Sequence, residues 1–196
     1  MTSAAAHLAR LCEGRDRRPG SAENLAATGY VAATLRDAGW DVEEQWFDCL
    51  DWESSGGVVE VAGAAVPVTP SPYGTGVVGA GRLVGASSPD ELASLGRVEG
   101  CVLVLHGALA SHPLTPRGYP FYSDEADARV LDLVEAARPL AVVSVTGRYP
   151  ELCGAMDPFP LVEDGSFGVP AADVGPVGGA PLLAHLGEPA HVSLHA

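Results

Sequence analysis

The chain has no lysine: all eleven basic residues are arginines, set against 25 acidic ones, for a net charge of −14 over 196 residues. A surface so acidic repels phosphate backbones and anionic lipid, which excludes nucleic acid and membrane surfaces as partners. The densest basic group, Arg15, Arg17 and Arg18, is interleaved with Glu13 and Asp16 and reads as a solvated turn. Aromatics are scarce at 6%. No apolar run approaches the ~20 residues that span a bilayer. The first fourteen residues lack the apolar core and cleavage site of a signal peptide, so the expected location is cytoplasmic. Four cysteines, Cys12, Cys49, Cys101 and Cys153, lie too far apart for a disulfide framework or a clustered zinc site, and most are expected to be small core residues.

What is abundant is apolar residues, 47%, together with 24 glycines and 16 prolines. That mixture favours many short strands joined by turns, within one domain and an appendage. Met1 to Gly14 predicts a short amphipathic helix. Ser21 is a good N-cap for a second helix running to about Ala38, with Glu23 in its first turn and Gly39 ending it. Leu25, Thr28, Val31, Leu35 and Ala38 recur at helical spacing and predict one buried stripe. Asp41 to Cys49 alternates like a strand.

Beyond Ser54, short valine-rich runs at Val58–Val61, Ala65–Val68, Gly76–Val84 and Gly100–Leu105 predict the strands of a compact β domain. Pro89 to Leu95 reads as a helical turn capped by Ser88. Asp124 to Ala137 reads as a helix turning Val130, Leu131, Val134 and Ala137 inward. Leu140 to Val145 is apolar apart from Ser144, as a strand buried on both faces would be. Gly147 to Gly187 reads as irregular, with Pro181 to Leu186 as a turn of helix, and His191 to Ala196 as a final strand whose edge needs cover.

Gly74-Thr75-Gly76-Val77-Val78-Gly79 matches a dinucleotide fingerprint as a string. However, prolines precede it and a strand follows, where the motif needs a helix N-terminus to hold the pyrophosphate. His191 and His195 carry the spacing of a helical zinc pair, but on a strand they stand about 13 Å apart, too far to share a metal. There is no Gly-x-Ser-x-Gly elbow. The expected cofactor and metal are therefore none. Candidate binding groups gather in two loops after buried strands: 106–125, with His112, Arg117, Tyr119, Tyr122, Asp124 and Glu125, and 157–165, with Phe159, Glu163 and Asp164. As acid–base groups, His112, Tyr119, Tyr122, Glu163 and Asp164 could serve a small-molecule isomerase, cyclase or hydratase without a metal. As contact residues, Arg117, Tyr119, Tyr122, Phe159 and Glu163 could grip a peptide or partner.

Arg18-Pro19-Gly20-Ser21-Ala22-Glu23-Asn24, followed by Tyr30, Leu35, Gly39 and Val42, resembles the opening of zinc aminopeptidases that carry an inserted protease-associated domain. Pro113-Leu114, Pro120-Phe121-Tyr122, Thr146-Gly147, Pro150-Glu151-Leu152 with Gly154-Ala155, and Pro158 to Gly165 are similar to that insert. The resemblance implies an α+β chain in three parts: helices and a first strand of a catalytic α/β domain over 1–48, a β-rich protease-associated-type barrel or sandwich over 50–188, and a returning strand over 190–196. Ala171-Ala172 departs from the serine and aromatic common in that family. The chain stops before the family's metal-binding motifs, so the resemblance implies no competent zinc peptidase. It points instead to a non-catalytic module that binds a partner or shapes a substrate cleft, as a homo-oligomer or with a separate catalytic chain; a metal-independent enzyme and a truncated peptidase remnant are the alternatives.

Overall fold

The computed structural model describes residues 3–14, 18–48, 52–112, 114–115, 124–147 and 168–195. The chain forms two compact units, one up to Asp51 and one from Trp52 onward.

In the first unit, α1 (Ala4–Leu11) starts at Ser3, whose hydroxyl accepts the Ala6 N–H. It meets α2 (Ala22–Asp37) through a 2.7 Å hydrogen bond between His7 Nδ1 and the Tyr30 hydroxyl. Ser21 caps α2 by accepting the Asn24 N–H, as its position before Glu23 predicts. The helix ends in a Schellman turn: Gly39, at φ 89°, donates to the Arg36 carbonyl, and Trp40 donates to the Leu35 carbonyl.

The expected buried stripe on α2 is absent. Ala32 is its one buried residue, while Leu25, Val31 and Leu35 are 41%, 41% and 39% exposed. The segment 41–48 is likewise not a strand, since a strand is defined by its ladder and no described residue pairs with this one.

The second unit is a closed barrel. Its strands are β1 (Gly56–Val61), β2 (Ala64–Pro70), β3 (Val77–Ala86), β4 (Val102–Leu105), β5 (Ala141–Val145), β6 (Ala171–Val174) and β7 (Pro189–His195), in the order β1-β2-β6-β5-β4-β3-β7. Three pairings, β3–β4, β4–β5 and β5–β6, are parallel and the others antiparallel. Helices α3 (Pro89–Leu95), α4 (Glu125–Ala137) and α5 (Pro176–Ala184) complete it. The fold class is mixed α+β.

Alternation explains the barrel interior. Val59 and Val61 of β1, Val66 and Val68 of β2, and Val192 and Leu194 of β7 point inward, and the residues between them face out. The parallel strands carry two cores. Val102, Val104, Val143 and Val145 fill the barrel, while Leu103, Leu105 and Val142 meet Leu92 of α3 and Val130, Leu131 and Val134 of α4 on the outside. This double burial is why β4, and β5 apart from Ser144, read as apolar runs, each fully buried apolar side chain contributing roughly 1.5–3 kcal/mol.

Three further expectations are corrected. The stretch 147–187 contains β6 and α5. β6 was hidden by its brevity and its buried Asp173. α5 was hidden by Pro176 at its start, a Gly-Gly pair and Pro181 inside it, although Leu182 anchors it in the barrel core. β7 is bonded on both sides, to β1 and β3, so it closes the barrel and is neither an exposed edge nor a strand returning to another sheet. Cys12 is exposed and Cys101 partly buried, so neither is a core residue, because α1 has no buried face and Cys101 precedes β4. Cys49 and Cys153 lie outside the described residues.

Two positions test the backbone argument. Ala62 and Gly63 form the two-residue turn between β1 and β2, both with positive φ, 50° and 81°, a geometry suited to Asn-Gly. Ala62→Asn is expected to raise stability by up to about 1 kcal/mol, the cost of holding an alanine left-handed, read as an upward shift in thermal midpoint. A Cβ on Gly81 would stand 2.1 Å from the Gly100 carbonyl oxygen. Gly81→Ala is expected to cost more than about 2 kcal/mol, because two backbones cannot both keep their place; an unchanged urea midpoint would contradict the packing.

Candidate functional site

The carboxyl ends of three parallel neighbours, β4, β5 and β6, share one edge of the barrel, the edge at which parallel sheets commonly place ligands. After β4 the chain is tied there at once. Ala108 donates to the Ser87 carbonyl, a short 3-10 turn runs from Gly107 to Ala110, and Gly147, just past β5, donates to the Ala110 carbonyl at 3.2 Å.

Ser111 and His112 follow this turn, and α4 brings Asp127 to meet them. His112 Nε2 lies 3.0 Å from Asp127 Oδ1, and the Thr115 N–H donates to Asp127 Oδ2 at 2.8 Å. On the other side of the ring, His112 Nδ1 lies 3.2 Å from Ser111 Oγ, which also donates to the Ala108 carbonyl at 2.8 Å. Asp124, the N-cap of α4, accepts from the N–H groups of Ala126 and Asp127 and so fixes the first turn that carries Asp127. The aspartate side chain is 6% exposed and the histidine 47%: a buried carboxylate holds a half-exposed imidazole.

Burial pushes the Asp127 carboxyl up, but the Thr115 backbone N–H, the His112 ring and the Thr115 side chain outweigh it and hold the group below the usual carboxylate value. An ionised Asp127 accepts from Nε2–H and leaves the lone pair of a neutral ring on Nδ1, toward Ser111. The same aspartate staples the loop after β4 to α4, so it has a structural role as well.

On the outer face of the same edge, Ser144 of β5 stands in register with Asp173 of β6. Both are buried, as is Thr146. The Ser144 hydroxyl has no hydrogen-bond partner among the described residues.

Of the candidate groups in the two loops, the structure describes His112, together with Asp124 and Glu125 at the start of α4. Arg117, Tyr119, Tyr122, Phe159, Glu163 and Asp164 lie outside the described residues. Ser111, Thr115 and Asp127 were missed. The Ser-His dipeptide after a buried strand was readable, but its partner lies fifteen residues on and is reached only through the packing of α4.

His191 and His195 do sit on a strand, β7, and have different neighbours: His191 Nδ1 is 4.0 Å from Glu60, and His195 Nε2 is 2.9 Å from Ser193 Oγ. Among the described residues no three His, Cys, Asp or Glu side chains converge, so they offer no donor set that fits a metal. No helix among them is long and apolar enough to cross a membrane.

The first unit carries a second feature, an apolar groove of about 710 Å³ between α2 and residues 42–47. Leu25, Val31, Leu35, Val42, Trp46 and Phe47 line it. Trp46 and Phe47 are 77% and 79% exposed.

No protein-family model matches the sequence, and no curated protein is significantly similar to it. Solved structures do share the fold. An aminopeptidase from Aneurinibacillus sp. strain AM-1 superposes with a TM-score of 0.60 at 18% identity, over 96% of this chain and 42% of that one. A peptidase M28 precursor from Shewanella amazonensis gives 0.58 at 13% identity, over 90% and 42%. A zinc aminopeptidase from Bacillus subtilis gives 0.54 at 14%, over 89% and 38%. This chain thus spans about two fifths of the length of these proteins and has the fold of that portion.

Asp127 makes a pH-dependent prediction. Because its folded value is depressed, its stabilisation is present above the unfolded value of about 3.9 and is lost as pH falls through the folded one. Asp127→Asn is expected to lower stability at pH 7 by about 1–3 kcal/mol. The gap from wild type should narrow toward pH 3, read from urea midpoints; a gap independent of pH would contradict the assignment.

Proposed function

We propose that this chain is a protease-associated-type module without peptidase chemistry of its own, which docks a catalytic α/β domain through the apolar face of α2 and residues 42–47. One observation carries the reading. A sixteen-residue helix with proper caps at both ends keeps a row of Leu25, Val31 and Leu35 in the open, beside Trp46 and Phe47. A helix of that length is marginal alone and draws its stability from packing its apolar side, and a contiguous exposed apolar patch marks an interaction surface.

The occupant is a sheet. Residues 42–47 carry no ladder partner among the described residues, and a helix followed by an unpaired extended segment is half of an α/β layer pair. The aminopeptidase structures that share the fold support this choice. Nearly all of this chain has a counterpart in them, whereas about three fifths of their length has none here.

The test is capture by the whole chain of an identified polypeptide bearing a two-metal α/β hydrolase domain, with affinity measured for wild type, Leu35→Glu and Trp46→Ala. The account expects each substitution to weaken binding at least tenfold while the barrel's thermal midpoint stays within about 2 °C. Two results would overturn it: a stable monomer with no such partner, or a dimer of this chain that Leu35→Glu dissociates.

A further inference from the structure

We propose that Ser111 is a nucleophile, activated by His112 and oriented through Asp127, for acyl transfer from small neutral or cationic carboxylic esters. The three side chains lie in line: Ser111 Oγ to His112 Nδ1 at 3.2 Å, and His112 Nε2 to Asp127 Oδ1 at 3.0 Å. A nucleophile within reach of a base, with that base held by a third group, is the arrangement by which an alcohol is activated, and it is recognised by geometry and role rather than by position in sequence.

Each group is placed for its part. Ser111 and His112 are exposed and can meet a substrate. Asp127 is buried and is held by the Thr115 N–H as well as by the ring. The Ser111 hydroxyl has two acceptors, the Ala108 carbonyl and Nδ1, so a small rotation about its C–O bond passes the proton from one hydrogen bond to the other. The protein's net charge of −14 disfavours anionic esters and leaves neutral and cationic ones.

In the first half-reaction Oγ bonds to the ester carbonyl carbon while its proton moves to Nδ1. The C–O bond to the leaving alcohol then breaks, and the alkoxide takes the proton from Nδ1. In the second, water attacks the acyl-serine carbon and gives a proton to Nδ1. The carbon–Oγ bond breaks, Oγ recovers that proton, and the acid departs. Water is the co-reactant and no electrons are exchanged. Asp127 acts through His112 and is a positioning residue.

This activity is independent of the docking of the first unit, so either can fail alone. The probe is an uncharged alkyl phosphonofluoridate, whose phosphorus bonds to an activated serine oxygen with loss of fluoride. It is incubated with the whole chain and followed by intact mass and peptide mapping. The expected result is one adduct per chain, mapped to Ser111 and absent from Ser111→Ala. Labelling should slow about a hundredfold in His112→Ala, the size of a general-base contribution, with partial rescue by added imidazole. Asp127→Asn should also slow labelling under conditions where circular dichroism shows it folded. No adduct on Ser111 after prolonged incubation at millimolar probe, or labelling equally fast without His112, would overturn the proposal and leave the cluster as a staple for the loop. Should His112→Ala fail to fold, the wild-type and Ser111→Ala results decide alone.

Discussion

Everything in the larger unit depends on β7 being bonded along both of its edges. Its residues 190–195 pair with β1 and its residues 189–194 with β3, both antiparallel. Those two ladders turn an open sheet into a barrel with no free edge, the arrangement that removes the aggregation hazard of unpaired strands. Closure also fixes side-chain facing. Ala190, Val192 and Leu194 enter the core, and His191, Ser193 and His195 face out, where no common ligand gathers them. Once the barrel is closed, the parallel run β3-β4-β5-β6 must hold α3 and α4 on its outer surface, because Leu103, Leu105 and Val142 have no room inside.

The candidate site follows from that layering. The second core seats α4, and the seating of α4 carries the buried Asp127 against the loop that leaves β4. A carboxylate placed by a helix, an imidazole placed by a loop and a hydroxyl one residue before it come together through packing rather than through sequence proximity. The first unit has no equivalent closure. Its helix is well begun and well ended, yet Leu25, Val31 and Leu35 on its apolar side stay exposed, and the segment after it has no ladder partner among the described residues. The larger unit is closed by its own hydrogen bonds, and the smaller keeps its apolar helix face exposed.

Legibility in the sequence tracked how local each cause was. Ser21 as a cap, Gly39 as a stop, Ser88 before Pro89 and Asp124 before α4 are events within one helical turn, and all were readable. The strands β1 to β5 and β7 were readable because alternation or continuous apolarity marks them. β6 and the first turn of α5 were not, because four residues with a buried aspartate and a helix start containing Gly-Gly lack any periodic signal, and only the end of α5 falls within the helical turn expected over 181–186; tertiary contacts at Leu182 and the β5–β6 ladder hold them. Periodicity marks the stripe on α2 as apolar and so suggests burial, but it says which side is greasy and not what covers it; only the family resemblance points to a missing cover. In the site, His112 was legible as a loop histidine, whereas Asp127 looked like one more acid on a helix until α4 was docked.

Hydrogen exchange on the isolated chain tests the central claim most directly, namely that the barrel is self-sufficient while the face of α2 waits for a sheet. The account predicts that amides of β4, β5 and β7 exchange only through global unfolding, whereas those of α2 exchange orders of magnitude faster through local opening. Amides of α2 as slow as those of the barrel strands, in a chain shown to be monomeric, would contradict it.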